Sequence, residues 1–237
     1  MNIEQIKEHL LQIPPDFTAL ADIHLSPAEA TETGITYAAE CWAETDCIED
    51  EFSSDGHYDW CWREPDLIPG RHSTYLYEVM EFLLKFGLDP SYTVSGDYGL
   101  MDYICNTVNG YVAADTLRLL FENGGDPNLL SDSGSIYDDI DFDIWFGALE
   151  MEDRRRYDSF VHCWMVMMGF GGKPSNGSSP LDLFNEWHPD IGTIPFELNR
   201  LKDHRNYTFG ISHITNRGDA PTIHIFNKRT YWEVARI

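Results

Sequence analysis

Cys41, Cys47, His57 and Cys61 are of the types that hold zinc, which is bound by thiolates and imidazoles. Their spacing lacks the Cys-x-x-Cys knuckle that sets two thiolates on one tight turn, so it argues against a metal centre. The five cysteines are odd in number and scattered, which favours reduced thiols over a disulfide framework. Cys105 and Cys163 fall on predicted helices and read as small core residues. His162 lies in an apolar helical stretch and reads as a hydrogen-bonded core residue. His213 and His224 sit on predicted strands and could face each other, but without a nucleophile or carboxylate partner they make no catalytic set. No Walker phosphate loop, Gly-x-Ser-x-Gly elbow or His-Glu-x-x-His helix occurs. Gly169, Phe170, Gly171 and Gly172 look like a phosphate cradle, yet they close a predicted helix, where carbonyls rather than amides face outward. Paired-carboxylate hydrolysis is the remaining chemistry, since 40 acidic residues make close pairs inevitable. Its place would be residues 44–66, with Asp55 and Asp59. No cofactor is expected, and recognition is favoured over catalysis.

Charge supports that preference. Sixteen basic residues against forty acidic ones leave −24. From residue 191 onward seven Lys/Arg face four Asp/Glu, giving +3, so residues 1–190 hold nine basic and 36 acidic residues, or −27. Such a surface repels nucleic acid and anionic membrane and speeds encounter with a basic partner. No apolar run approaches the ~18–20 residues that span a bilayer. The start, Met1 to Lys7, lacks the basic-then-apolar layout of a secretion signal, so a cytoplasmic address is expected.

The elements that must position these charges repeat. Residues 79–91, 116–128 and 163–175 align as an apolar helical end, a glycine, and a proline three residues later. Gly87, Gly124 and Gly171 suit a left-handed helix C-cap, and Pro90, Pro127 and Pro174 keep the helix from resuming. Met80, Leu117 and Trp164, with Leu83, Leu120 and Met167, supply a buried stripe. Each block is followed by a helix start, at Gly99–Asp102, Ser135–Asp138 and Ser179–Asp182. Ser26, Pro27, Ala28 and Glu29 form a capping box that should open a helix running to about Trp42. Ile3, Ile6, Leu10 and Leu11 form an earlier amphipathic stripe ending at Pro14 and Pro15. Residues 207–214, 222–226 and 231–235 are β-branched and aromatic, and Asn227 to Thr230 make a hairpin turn. The expected fold is mainly α, with helical-hairpin repeats and a small C-terminal antiparallel β-sheet. Three segments follow: an acidic helical cap over 1–74, repeats over 75–190 and a β-rich segment over 191–237.

The repeat order resembles the ankyrin repeat. Ser179-Pro180-Leu181-Asp182 approaches the family's helix opening, and Gly124, Gly125, Asp126, Pro127 and Asn128 approach its glycine-ended close. Aspartate replaces the usual histidine, and the glycines lie 37 and 47 residues apart, where about 33 is usual. The extra length is assigned to an insertion around 150–157, including Arg154, Arg155 and Arg156.

Exposed loops and first helices of such stacks bind partners. Asp132, Asp138, Asp139, Asp141 and Asp143 are interleaved with Tyr137 and Trp145, and their mutual repulsion would be relieved by a basic partner. Asp97 and Tyr98 in the preceding unit, with Asp55, Asp59 and Trp60 in the cap, complete the candidate surface. The chain also resembles bacterial ankyrin-type immunity proteins of polymorphic and contact-dependent growth-inhibition toxin systems. That resemblance implies a cytoplasmic inhibitor covering the active site of a basic toxin domain, with a ribonuclease among the candidates. A general ankyrin-type scaffold and a carboxylate hydrolase are the alternatives.

Overall fold

The computed structural model describes residues 1–52, 71–93, 99–107, 111–131, 134–140, 154–176, 197–211, 223–231 and 233–236. The protein is mainly helical with a small three-stranded antiparallel sheet. It divides into two compact units, Met1–Asp126 and Pro127–Ile237.

The first unit is helical. Asn2 caps α1 (Ile3–Leu10) through a capping box with Gln5, and Ile6 and Leu10 turn inward. The Ser26–Glu29 box opens α2 (Pro27–Phe52): Glu29 accepts from Ser26 N–H at 2.8 Å and from its hydroxyl at 2.7 Å. The helix runs ten residues past the expected end at Trp42, because no glycine or proline interrupts residues 43–52. A 3-10 turn (His72–Tyr75) leads into α3 (Leu76–Leu84), followed by α4 (Leu100–Cys105) and α5 (Val112–Glu122). α2 packs on α1, α3 and α4, and α5 packs on α3 and α4. Gly99 N–H donates to Asp102 Oδ2 at 2.6 Å, closing the expected start of α4.

The second unit contains a two-residue β-ladder, β1 (Leu130–Ser131) with β2 (Gly134–Ser135), then helical residues 136–140. Its central helix, α6 (Arg154–Gly169), is buried along residues 159–169, as an all-round apolar helix requires. Arg154, Arg155 and Arg156, assigned from sequence to an insertion between helices, instead form the first turn of α6. A 3-10 segment (Leu198–Asn206) packs on α6 and leads into the sheet. β3 (Tyr207–Ile211), β4 (Ile223–Asn227) and β5 (Glu233–Arg236) pair antiparallel in that order. Phe209 lies opposite Ile225, both buried, so the period-2 pattern of the sequence faces one side inward.

Three helix ends share one construction. Gly87, Gly124 and Gly171 adopt φ of 86°, 96° and 89°. Their N–H groups donate to Leu84, Phe121 and Met168 at 3.1, 3.2 and 3.0 Å. The next residues, Leu88, Gly125 and Gly172, donate to Leu83, Leu120 and Met167 at 3.3, 3.0 and 2.8 Å. This is the Schellman pair, which satisfies carbonyls a helix end leaves open. Met80, Leu83, Leu117, Leu120, Trp164 and Met167 are all buried, as their register in the three blocks requires.

Candidate functional site

The helix start in the second unit is built around Asp138. Ser135 hydroxyl donates to Asp138 Oδ2 at 2.6 Å and accepts from Asp138 N–H at 3.1 Å. Ser175 N–H also donates to the carboxylate at 3.2 Å. Burial pushes the Asp138 carboxyl up, but the bonds from Ser135 and Ser175 outweigh it and hold the group below the ordinary carboxylate range. Ser135 is therefore the helix cap, and Asp138 braces its hydroxyl while tying the helix start to the loop after the third glycine.

The sequence's other candidates divide. Tyr137 is 2% exposed, with its ring centroid 5.9 Å from that of Trp164, so it serves the core and offers a partner no surface. Asp139 is half-buried, and burial followed by the neighbouring Asp138 charge pushes its carboxyl up. Asp55, Asp59, Trp60, Asp97, Tyr98, Asp132, Asp141, Asp143 and Trp145 lie outside the described residues. So do His57, Cys61 and His213. Cys41, Cys105 and Cys163 are buried and not joined in disulfides, and burial, then Glu44 and Glu40, push the Cys41 thiol well up.

A second acidic face, on α3 and α5, escaped sequence reasoning. Glu78 and Glu81 on α3 and Glu122 on α5 are exposed. Burial, followed by Glu81, Glu122 and Asp115, pushes the Tyr77 phenol up, and Arg118 only partly opposes this. Arg118 Nε is itself paired with Glu122 at 2.8 Å. The spacing of Tyr77 with Glu81, and of Arg118 with Glu122, was the available signal: residues four apart share a helix face.

His72 and Glu44 form a polar centre beneath this unit's surface. Glu44 accepts from His72 N–H at 2.9 Å and lies 2.7 Å from ring Nδ1, while Nε2 lies 2.9 Å from the Leu11 carbonyl. Both ring nitrogens face acceptors, so the doubly protonated ring makes both bonds and the neutral ring only one. Tyr37 hydroxyl donates to the His72 carbonyl at 2.9 Å. The centre ties α1, α2 and the 3-10 turn together; its side chains are committed to structural bonds.

Among the described residues no group of three or more His, Cys, Asp or Glu is placed to hold a metal ion. None of the described helices is long and apolar enough to cross a membrane. No protein-family model and no curated protein sequence matches the chain.

Proposed function

We propose that this chain is a degenerate ankyrin-type recognition protein that binds and neutralises a basic toxin domain, acting as an immunity protein. Three features support the repeat reading. The glycine caps are alike, each is followed by proline, and a short β-ladder precedes a capped helix start, the turn-and-two-helix order of an ankyrin unit. The loops also bond in a regular way. Asp126 N–H donates to Ser91 Oγ at 2.9 Å, and Lys173 N–H donates to Asn128 Oδ1 at 3.1 Å. In each case the donor lies two residues after one glycine and the acceptor four residues after the preceding one. Stacked repeats owe their stability to such nearest-neighbour terms.

The observation that carries the binding reading is the division of faces on α3 and α5. Leu76, Val79, Met80, Leu83, Leu117 and Leu120 are buried, while Glu78, Glu81 and Glu122 are exposed, with Glu81 and Glu122 acting on Tyr77. Acidic side chains around a half-buried aromatic ring suit a partner rich in Arg and Lys. Basic surface is what a nuclease needs to grip phosphates, and an acidic protein competes for it.

Growth protection tests this. Co-expression with a toxin domain encoded beside the gene should restore growth, and Glu81→Lys combined with Glu122→Lys should abolish protection while leaving circular dichroism unchanged. Unchanged protection by that variant removes this face from the contact. Several weak partners in place of one nanomolar basic partner would favour a general scaffold.

A further inference from the structure

We propose that the row of rings Phe17, Phe82 and Phe86 in the first unit is a ledge for arginine, on which a basic partner lays a guanidinium. This rests on the recognition reading above and names the side chain that the partner brings. The Phe82 centroid lies 5.3 Å from that of Phe17 and 5.2 Å from that of Phe86. The planes meet at 48° and 59°, so neither pair is stacked and no ring covers its neighbour's face. Local causes set the row. Phe82 on α3 and Phe86 in its closing turn are four residues apart and share one face. Phe17 sits in the turn after α1, pinned where Asp16 N–H donates to the His9 carbonyl at 3.0 Å and Asp16 Oδ1 accepts from Ala19 N–H at 3.1 Å. All three rings are partly exposed, whereas Leu76, Val79, Met80 and Leu83 of the same helix are buried. The row is an aromatic strip at the surface, not part of the core.

The charges beside the row choose its occupant. Residues 9–26 and 76–91, which carry the rings, hold Asp16, Asp22, Glu78, Glu81 and Asp89 against Lys85, with His9 and His24. α2, packed on α1 and α3, adds Glu29, Glu32, Glu40 and Glu44 over residues 27–44 and no Lys or Arg. Glu78 is exposed and, four residues before Phe82, shares its face, where it can pair with a cation lying on the ring. An uncharged apolar segment would leave these carboxylates unmatched. Phosphates, or a second copy at −24, would be repelled. Among cations the rings select arginine: its guanidinium is flat, weakly hydrated and stacks on aromatic faces, while the lysine ammonium keeps its water.

Two peptides of equal charge, octa-arginine and octa-lysine, titrated into the full chain at low salt test the ledge. Octa-arginine should bind about threefold more tightly or better, and should shift the ring resonances of Phe17, Phe82 and Phe86. Phe82→Leu keeps the side chain apolar and should bring the two affinities together, whereas Glu78→Gln should weaken both. Equal affinities in wild type, or an arginine preference that survives Phe82→Leu, overturn the proposal. Should Phe82→Leu not fold, nuclear Overhauser contacts in the wild type decide. Contacts from arginine side-chain protons to the Phe82 ring support the ledge; contacts to none of the three rings overturn it. Self-association that Phe82→Leu abolishes would seat a second copy on the row and overturn it as well. The recognition reading itself fails on a different readout, the absence of growth protection in co-expressing cells.

Discussion

Asp138 shows how one carboxylate is taken out of a candidate surface by its neighbours. Its oxygens accept from Ser135 Oγ and Ser175 N–H, so Asp138→Ala removes the brace on the Ser135 cap and a loop tie and should cost about 1 kcal/mol at neutral pH. Because its folded-state pKa is lowered, this contribution is full above the unfolded value near ~3.9 and is lost as pH falls through the folded value. Urea midpoints should therefore separate wild type from Asp138→Ala equally at pH 7 and pH 5 and converge below about pH 4. A gap that persists at lower pH would show that the side chain acts by packing. Tyr231 makes the opposite case. It is 79% exposed and sits at φ 57°, a conformation that disfavours side chains with a Cβ. Tyr231→Gly should stabilise the β4–β5 hairpin by about 0.5–1 kcal/mol, read as a higher urea midpoint. A lower midpoint would mean that the ring packs against something the backbone strain serves.

At the scale of elements, the glycine-capped helix ends were legible because their signal is local: a left-handed residue favours glycine, and a proline three residues on stops the helix. The capped starts at Ser26, Gly99 and Ser135 were legible for the same reason, as was the strand alternation around Phe209 and Ile225. The pairings between distant residues were not. Nothing in the local sequence brings His204 to His162, 42 positions away, or commits Tyr137 to the ring of Trp164. Asp138 belongs by sequence both to the helix start at Ser135 and to a cluster of repelling aspartates, and its bonds to Ser135 and Ser175 are those of the helix start. The glycines themselves separate backbone strain from steric contact. An added Cβ at Gly124 or Gly171 meets nothing within 4 Å, so Gly124→Ala and Gly171→Ala should each cost about 1–2 kcal/mol, for the left-handed backbone alone. Gly169 lies 2.5 Å, by its added Cβ, from the backbone of Lys202, which has no flexible end to move aside. Gly169→Ala should cost more than either, about 2–3 kcal/mol, and should raise hydrogen exchange in Leu198–Asn206. Equal losses at all three glycines in urea titrations would contradict the close approach of α6 to that segment.

At the scale of the whole molecule, the net charge of −24 acts on stability as well as on recognition. Most of the acidic side chains are not matched by nearby bases, since forty face sixteen. Folding brings them closer than the extended chain holds them, so self-repulsion opposes the compact state. The screening length is about 10 Å at 0.1 M salt and about 3 Å at 1 M, which removes exposed-charge repulsion before it affects buried groups. Ion pairs among the described residues pull the other way: Lys7 with Glu4 and Glu32, Arg118 with Glu122 and Arg200 with Glu197 lose strength as salt rises. Each such exposed pair is worth under about 1 kcal/mol. Repulsion should therefore win, and raising sodium chloride from 0.05 to about 0.5 M should increase the thermal midpoint by several degrees. The same change should weaken capture of a basic partner, because screening reduces the attraction that steers it. Opposite responses of stability and binding to one salt titration identify the acidic surface as a charge kept for a partner at the fold's expense. A thermal midpoint that falls with salt would instead place most of these carboxylates in internal ion pairs and leave little free charge for recognition.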